Sequence, residues 1–136
     1  MRFLILLLCL TCPALHAQTE KVDGIGGFFF RAKDPQALAA WYEKHLGIDP
    51  VPKSYDGKPW TQQAGITVFA PFPANTTYFA QAWMINFRVR NLDAMAAQLR
   101  NAGIAVEVDP KTYPNGRFAQ LQDPEGNPIQ LWQPQK

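Results

Sequence analysis

The sequence predicts an α+β domain made of two tandem βαβββ modules, whose strands join in a curled mixed sheet around a central cavity. Two observations carry this expectation. The segment from Phe30 to Ile48, FRAKDPQALAAWYEKHLGI, is repeated as FRVRNLDAMAAQLRNAGI from Phe87 to Ile104, with Phe30, Arg31, Ala37, Ala39 and Ala40 matched at a constant offset. Self-similarity of this length marks a duplicated structural unit. The apolar period also changes from two to about 3.6 at the same place in each copy, the signature of a strand running into a helix.

The first strand of each copy is expected at about 26–32 and 83–89. Turns at Asp34-Pro35 and Asn91-Leu92 follow. The helices then present Leu38, Trp41, Tyr42 and His45 in one copy, and Leu92, Met95, Ala96 and Leu99 in the other, along one face. Gly47 and Gly103 end them, because glycine tolerates left-handed dihedrals. A strand is expected at 66–70. Residues 118–122 and 128–132 read as a hairpin turning at Glu125-Gly126-Asn127. The modules span about 24–71 and 82–134, with 72–81 as the linker.

Strand alternation sorts the first strands into two faces. Phe28, Phe30, Ile85 and Phe87 form an apolar set suited to packing under a helix. Gly27, Phe29, Arg31, Met84, Asn86 and Arg88 fall on the other face, a poor lining for a dry core and a good one for a cavity.

Residues 1–17, MRFLILLLCLTCPALHA, read as a secretory signal peptide with cleavage after Ala17. The apolar run is too short to span a bilayer. The bacterial look of this signal implies a periplasmic or secreted protein, and lipidation at Cys12 fits the local sequence poorly. The remaining segment, 18–136, is one domain. Cys9, Cys12 and His16 leave with the signal, so the mature chain has no cysteine and His45 as its one histidine. Of the 13 basic residues only Arg2 is lost, which leaves twelve against 11 acidic ones, a net charge of +1. That balance gives no reason to expect nucleic acid or a membrane as a partner.

With the repeat, the βαβββ order and the terminal GRFAQLQDPEGNPIQLWQP in view, the sequence resembles the vicinal oxygen chelate superfamily. That superfamily includes glyoxalases, bleomycin-resistance proteins and extradiol dioxygenases. The resemblance covers nearly all of 23–134, and the DP-acid-GN turn before an apolar strand is its strongest local sign. It implies a cavity between two modules and, in the enzymes, a divalent metal held by His and Glu. Carried onto this chain, the four ligand positions fall at Gly27, Val68, Met84 and Gln130. Glycine, valine and methionine offer nothing to a hard divalent ion, so no metal or other cofactor is expected. The resemblance also implies a homodimer, with the aromatic-rich linker lying across a partner.

Three roles are open to Gln130: satisfying a group inside the barrel, hydrogen-bonding a ligand, or ligating a retained metal. Arg31 and Arg88 are pseudo-equivalent and are expected either to clamp an anionic ligand or to pair with Asp34, Asp93 or Asp123. Asn86 is a candidate orienting amide. Phe29, Trp60 and Trp132 are candidate apolar walls, although Trp60 and Trp132 suit plain packing equally well. His45, at a helix end, suits charge neutralisation there better than catalysis. Arg117 is placed to reach over the cavity mouth.

The leading functional expectation is an exported, metal-independent binder of a small, anionic organic molecule. A glyoxalase-type lyase or isomerase is the alternative. A metal-free enzyme using Arg31, Arg88 or Tyr113 is a third reading.

Overall fold

The computed structural model describes residues 22–135; the signal-peptide reading therefore lies outside the described residues. The chain divides at Phe30 into two compact units, residues 1–30 and 31–136. In the first unit, the described residues 22–30 form no helix or strand. There the Phe28 and Phe30 rings lie 5.6 Å apart, and both remain partly open to solvent.

The second unit holds helix α1 (Pro35–Leu46), strand β1 (Ile85–Arg88), helix α2 (Leu92–Asn101) and strands β2 (Val106–Val108), β3 (Gly116–Gln122) and β4 (Pro128–Pro134). The four strands form one sheet in the order β1-β4-β3-β2. β1 runs parallel to β4, and β4-β3 and β3-β2 are antiparallel. The fold is thus a mixed α+β arrangement of an open four-stranded sheet and two helices.

The second repeat forms its βαβββ module as expected, and the first contributes only its helix. The strands expected at 26–32 and 66–70 are not formed. Composition gives the reason. Gly24, Gly26 and Gly27 crowd the start of the first repeat, and Pro50, Pro52, Pro59, Pro71 and Pro73 interrupt its second half. Glycine pays the largest entropy on becoming extended, and proline cannot donate to a ladder. The corresponding INFR of β1 has neither, and it pairs along its length with β4.

Both helices begin and end through local chemistry. Asp34 caps α1 by accepting from the Ala37 N–H at 3.0 Å, with Pro35 opening the first turn. Asn91 does the same for α2 with Ala94. Gly47 stops α1 at φ 66°, where its N–H reaches Glu43.

The core sits on one face of the sheet. Leu38 and Tyr42 of α1 and Leu92, Ala96 and Leu99 of α2 meet Val106, Ala119, Leu121, Ile129 and Leu131 of the strands. Ile85 and Phe87 pack against this cluster as expected. Their counterparts Phe28 and Phe30, expected under a helix, are instead partly exposed, because no strand forms there to hold them.

The turn between β3 and β4 anchors α1. The Asp123 carboxylate is 5 % exposed. It accepts from the backbone N–H groups of Glu125 and Asn127, each at 2.9 Å, and from the Asn127 side-chain amide at 2.7 Å. The Tyr42 hydroxyl of α1 donates to it at 3.0 Å. Next to it, the Glu125 carboxylate accepts from the backbone N–H groups of Lys33 and Asp34 at 2.8 and 2.9 Å. Burial, followed by the Asp123 charge and the hydrogen bond to it, pushes the Tyr42 phenol well above its ordinary pKa.

Asp123→Asn puts an amide where a carboxylate now faces donors only, and is expected to cost on the order of 3 kcal/mol in urea unfolding. Tyr42 also links stability to alkaline pH. Its contribution is fully present below the unfolded tyrosine pKa of about 10, and is lost as pH rises from there toward the raised native value. The stability difference between the native chain and Tyr42→Phe should therefore be constant below about pH 9 and shrink above about pH 10.

Candidate functional site: an amide row and an aromatic groove

The face of the sheet opposite the core carries a polar row. Strand pairing aligns Asn86 of β1 with Gln130 of β4, Gln130 with Gln120 of β3, and Gln120 with Glu107 of β2. Three amides and one carboxylate thus cross all four strands at one level. Beside them on the same face, Phe118 pairs with Trp132. Their rings are nearly parallel, 6.2 Å apart and inclined by 8°.

Gln130 is the fixed point of the row. It is 5 % exposed, and both ends of its amide are engaged. Asn86 Nδ2 donates to Gln130 Oε1 at 2.7 Å, and Gln130 Nε2 donates to the Tyr78 hydroxyl at 2.6 Å. Tyr78 comes from the linker, where its ring stacks on Phe72 at 5.8 Å. Because the Tyr78 oxygen accepts from Gln130, its own O–H remains to donate elsewhere. Gln130 therefore satisfies neighbouring groups and positions them.

A groove of about 580 Å3 opens beside Gln130. Tyr78, Tyr113 and Phe118 supply rings, Gln120, Asn115 and Gln130 supply amides, and Glu107 and Asp109 supply carboxylates. The Tyr113 hydroxyl donates to Asp109 at 2.9 Å, which raises the phenol's pKa. Asp109 is held below the usual carboxylate range, first by the Lys111 backbone N–H at 2.9 Å and then by Tyr113.

The arginines lie elsewhere. Arg88 donates to the backbone carbonyls of Gln63 at 2.7 Å and Ala64 at 3.3 Å, so it braces the 63–65 segment rather than lining the groove. Gly65 lies so close to this guanidinium that a β-carbon there would collide with it. Arg31 is exposed and is not in the groove lining. Arg117, expected over the cavity mouth, instead makes a bidentate pair with Asp93 at 2.7 and 2.9 Å, which lowers the Asp93 pKa.

Among the candidate walls, Trp132 is buried and donates through Nε1 to the Asn115 carbonyl at 2.8 Å, a packing role behind the groove. Trp60 lies in a segment without regular structure and lines no part of the groove. Phe29 is 90 % exposed. His45 contacts the Trp41 ring at 5.4 Å in the last turn of α1, away from the groove lining.

The four positions that would hold a metal do not suit one. Gly27 has no side chain, and the Phe29 ring occupies the space a β-carbon would need there. Val68 is 72 % exposed and has no donor atom. Met84 offers only a soft thioether, and the Gln130 amide is committed to Asn86 and Tyr78. Among the described residues, no three His, Cys, Asp or Glu side chains gather into a set that could hold an ion.

Residues 27–132 match the family described as a glyoxalase-like domain. The chain belongs to that family. The solved structures like this glyoxalase-like domain include TnmS3, an antibiotic binding protein from Streptomyces sp. CB03234. It shares 27 % identity over 75 % of this chain and 88 % of its own, with a TM-score of 0.50. A glyoxalase/dioxygenase from Nostoc punctiforme shares the fold at 20 % identity, over 88 % of this chain and all of its own, with a TM-score of 0.51. A glyoxalase/bleomycin resistance protein from Streptomyces sp. CB03234 is 40 % identical over a shorter stretch, 38 % of this chain and 46 % of its own, with a TM-score of 0.34. The domain thus spans about half of that last protein. No curated protein matches the chain.

Sequence reasoning placed Gln130 and Asn86 correctly on one face and missed Tyr78, Glu107, Asp109, Phe118 and Gln120. Extending the alternation rule from the first strands to the last hairpin finds Phe118 and Gln120, which alternate with Ala119 and Leu121. Tyr78 had no such signal, because a linker residue follows no period. Asn86→Ala strips Gln130 of one partner and is expected to cost about 1–2 kcal/mol in chemical unfolding, while leaving the helical circular dichroism unchanged.

Proposed function

We propose that this glyoxalase-like domain is an exported, metal-independent binding protein for a small organic molecule, held in the groove beside Gln130. The observation that carries this reading is the groove itself: rings on its walls and a fixed amide at its centre, with no group of three His, Cys, Asp or Glu side chains that could hold an ion among the described residues. Rings supply contact area, and a few placed polar groups supply orientation, as small-molecule sites require. The likeness to TnmS3, an antibiotic binding protein, supports the same class of function.

The reading includes a second half to the hollow, supplied by residues 61–70, whose Ile66, Val68 and Phe69 side chains are exposed. It also takes the domain as a homodimer, since such exposed apolar residues gain from a partner's cover. The ligand expected from sequence was anionic, clamped by Arg31 and Arg88. With Arg88 spent on carbonyls and carboxylates in the groove lining, that feature is not retained.

Native mass spectrometry of the protein taken from the cells that make it should show a bound organic mass that survives EDTA. Phe118→Ala and Gln130→Ala should each weaken that complex about tenfold, the size of a central contact's loss. Loss of binding on chelation would refute metal independence. A ligand indifferent to both substitutions would place it outside the groove.

A further inference from the structure

The groove also has an uneven charge pattern. Among the described residues its charged lining is Glu107 and Asp109, with no basic side chain. Glu107 ends the amide row on the β2 edge and is exposed, and its carboxylate takes no ion pair or hydrogen bond among the described residues. Asp109 is held by Tyr113 and the Lys111 backbone. Among the described residues a cation comes close from outside the lining: the Lys111 ammonium sits 4.8 Å from the centre of the Tyr113 ring. That contact shows what this wall accepts, because the negative face of an aromatic ring beside a carboxylate attracts a positive charge.

The geometry points to a planar aromatic cation as the class of ligand, a fused-ring amine that is protonated at neutral pH. This rests on the binding reading above and sets the sign of its ligand's charge. The ligand's ring lies along Tyr78, Tyr113 and Phe118, and its charge faces Glu107 and Asp109. Lys111 is then a tethered competitor, an internal ammonium that gives up the Tyr113 face when the ligand enters. The two roles open to Lys111 predict opposite signs. As a competitor, its removal tightens a cation; as a clamp for an anion, its removal weakens an anion.

The test uses three tricyclic probes of similar shape in fluorescence titrations of the full mature chain at neutral pH. These are 9-aminoacridine as the cation, 9-anthracenemethanol as the neutral probe and anthracene-9-carboxylate as the anion. The expected result is 9-aminoacridine binding about tenfold tighter than anthracene-9-carboxylate, a difference within reach of one desolvated cation–ring contact and a carboxylate. Glu107→Gln, on an exposed side chain, should remove most of that preference and leave 9-anthracenemethanol unaffected. Lys111→Ala should tighten 9-aminoacridine severalfold. Equal affinity for the three probes, tighter binding of anthracene-9-carboxylate, or weaker 9-aminoacridine binding in Lys111→Ala overturns the proposal. If 9-anthracenemethanol binds and Phe118→Ala abolishes that, the binding reading stands even where the cation preference fails. If no probe binds, both fall.

Discussion

A carboxylate that is 95 % removed from solvent must have its lone pairs occupied, and Asp123 meets that demand with four donors from two parts of the chain. Three of those donors belong to its own turn and set the register of β3 against β4. The fourth is the Tyr42 hydroxyl of α1. Glu125 adds two bonds to the backbone just before that helix. The hairpin that carries Gln130 and the helix inherited from the first repeat are therefore fixed by one five-residue turn. Leu38 and Tyr42 add apolar contact, but polar satisfaction at Asp123 decides where the helix docks.

The sheet's far face follows from the same hairpin. Once β3 and β4 are in register, Gln120 stands opposite Gln130 and Phe118 opposite Trp132. The four positions that the family resemblance implies for metal ligands hold a glycine, a valine, a methionine and a glutamine. A neutral amide in the middle of a sheet can satisfy both an acceptor and a donor, and Gln130 does so with Asn86 and Tyr78. A glutamate there would accept from Asn86 equally well, and would accept from the Tyr78 hydroxyl where the amide donates to it. The amide thus leaves the Tyr78 O–H available to another acceptor.

The second repeat was legible because each of its rules agreed. Asn91 capped, Leu92, Ala96 and Leu99 recurred on one face, and the turn residues sat between two apolar runs. The first repeat misled because matching letters do not carry matching backbone costs: FFFR after three glycines pays more to become a strand than INFR does. For the site, alternation put Asn86 and Gln130 on a common face but could not tell which way long side chains lean. Arg88 leans to carbonyls 24 and 25 residues earlier, a contact that no local pattern announces. Asp93 is taken by Arg117 of β3, 24 residues further along the chain.

The bond from Tyr42 to Asp123 joins groups 81 residues apart, and that from Lys33 to Glu125 spans 92. A polypeptide is made from its amino end, so α1 leaves the ribosome long before its anchor exists. Contacts of such wide separation form late, after the nearby ones have closed. Until residues 123–131 are made, Tyr42 lacks its Asp123 acceptor and the cluster around Leu38 and Tyr42 lacks Ile129 and Leu131, so the helix waits as a half-covered amphipathic segment of the kind that chaperones recognise. Shortening the chain by its last fourteen residues, from Asp123 on, would thus remove the receptor of its first helix.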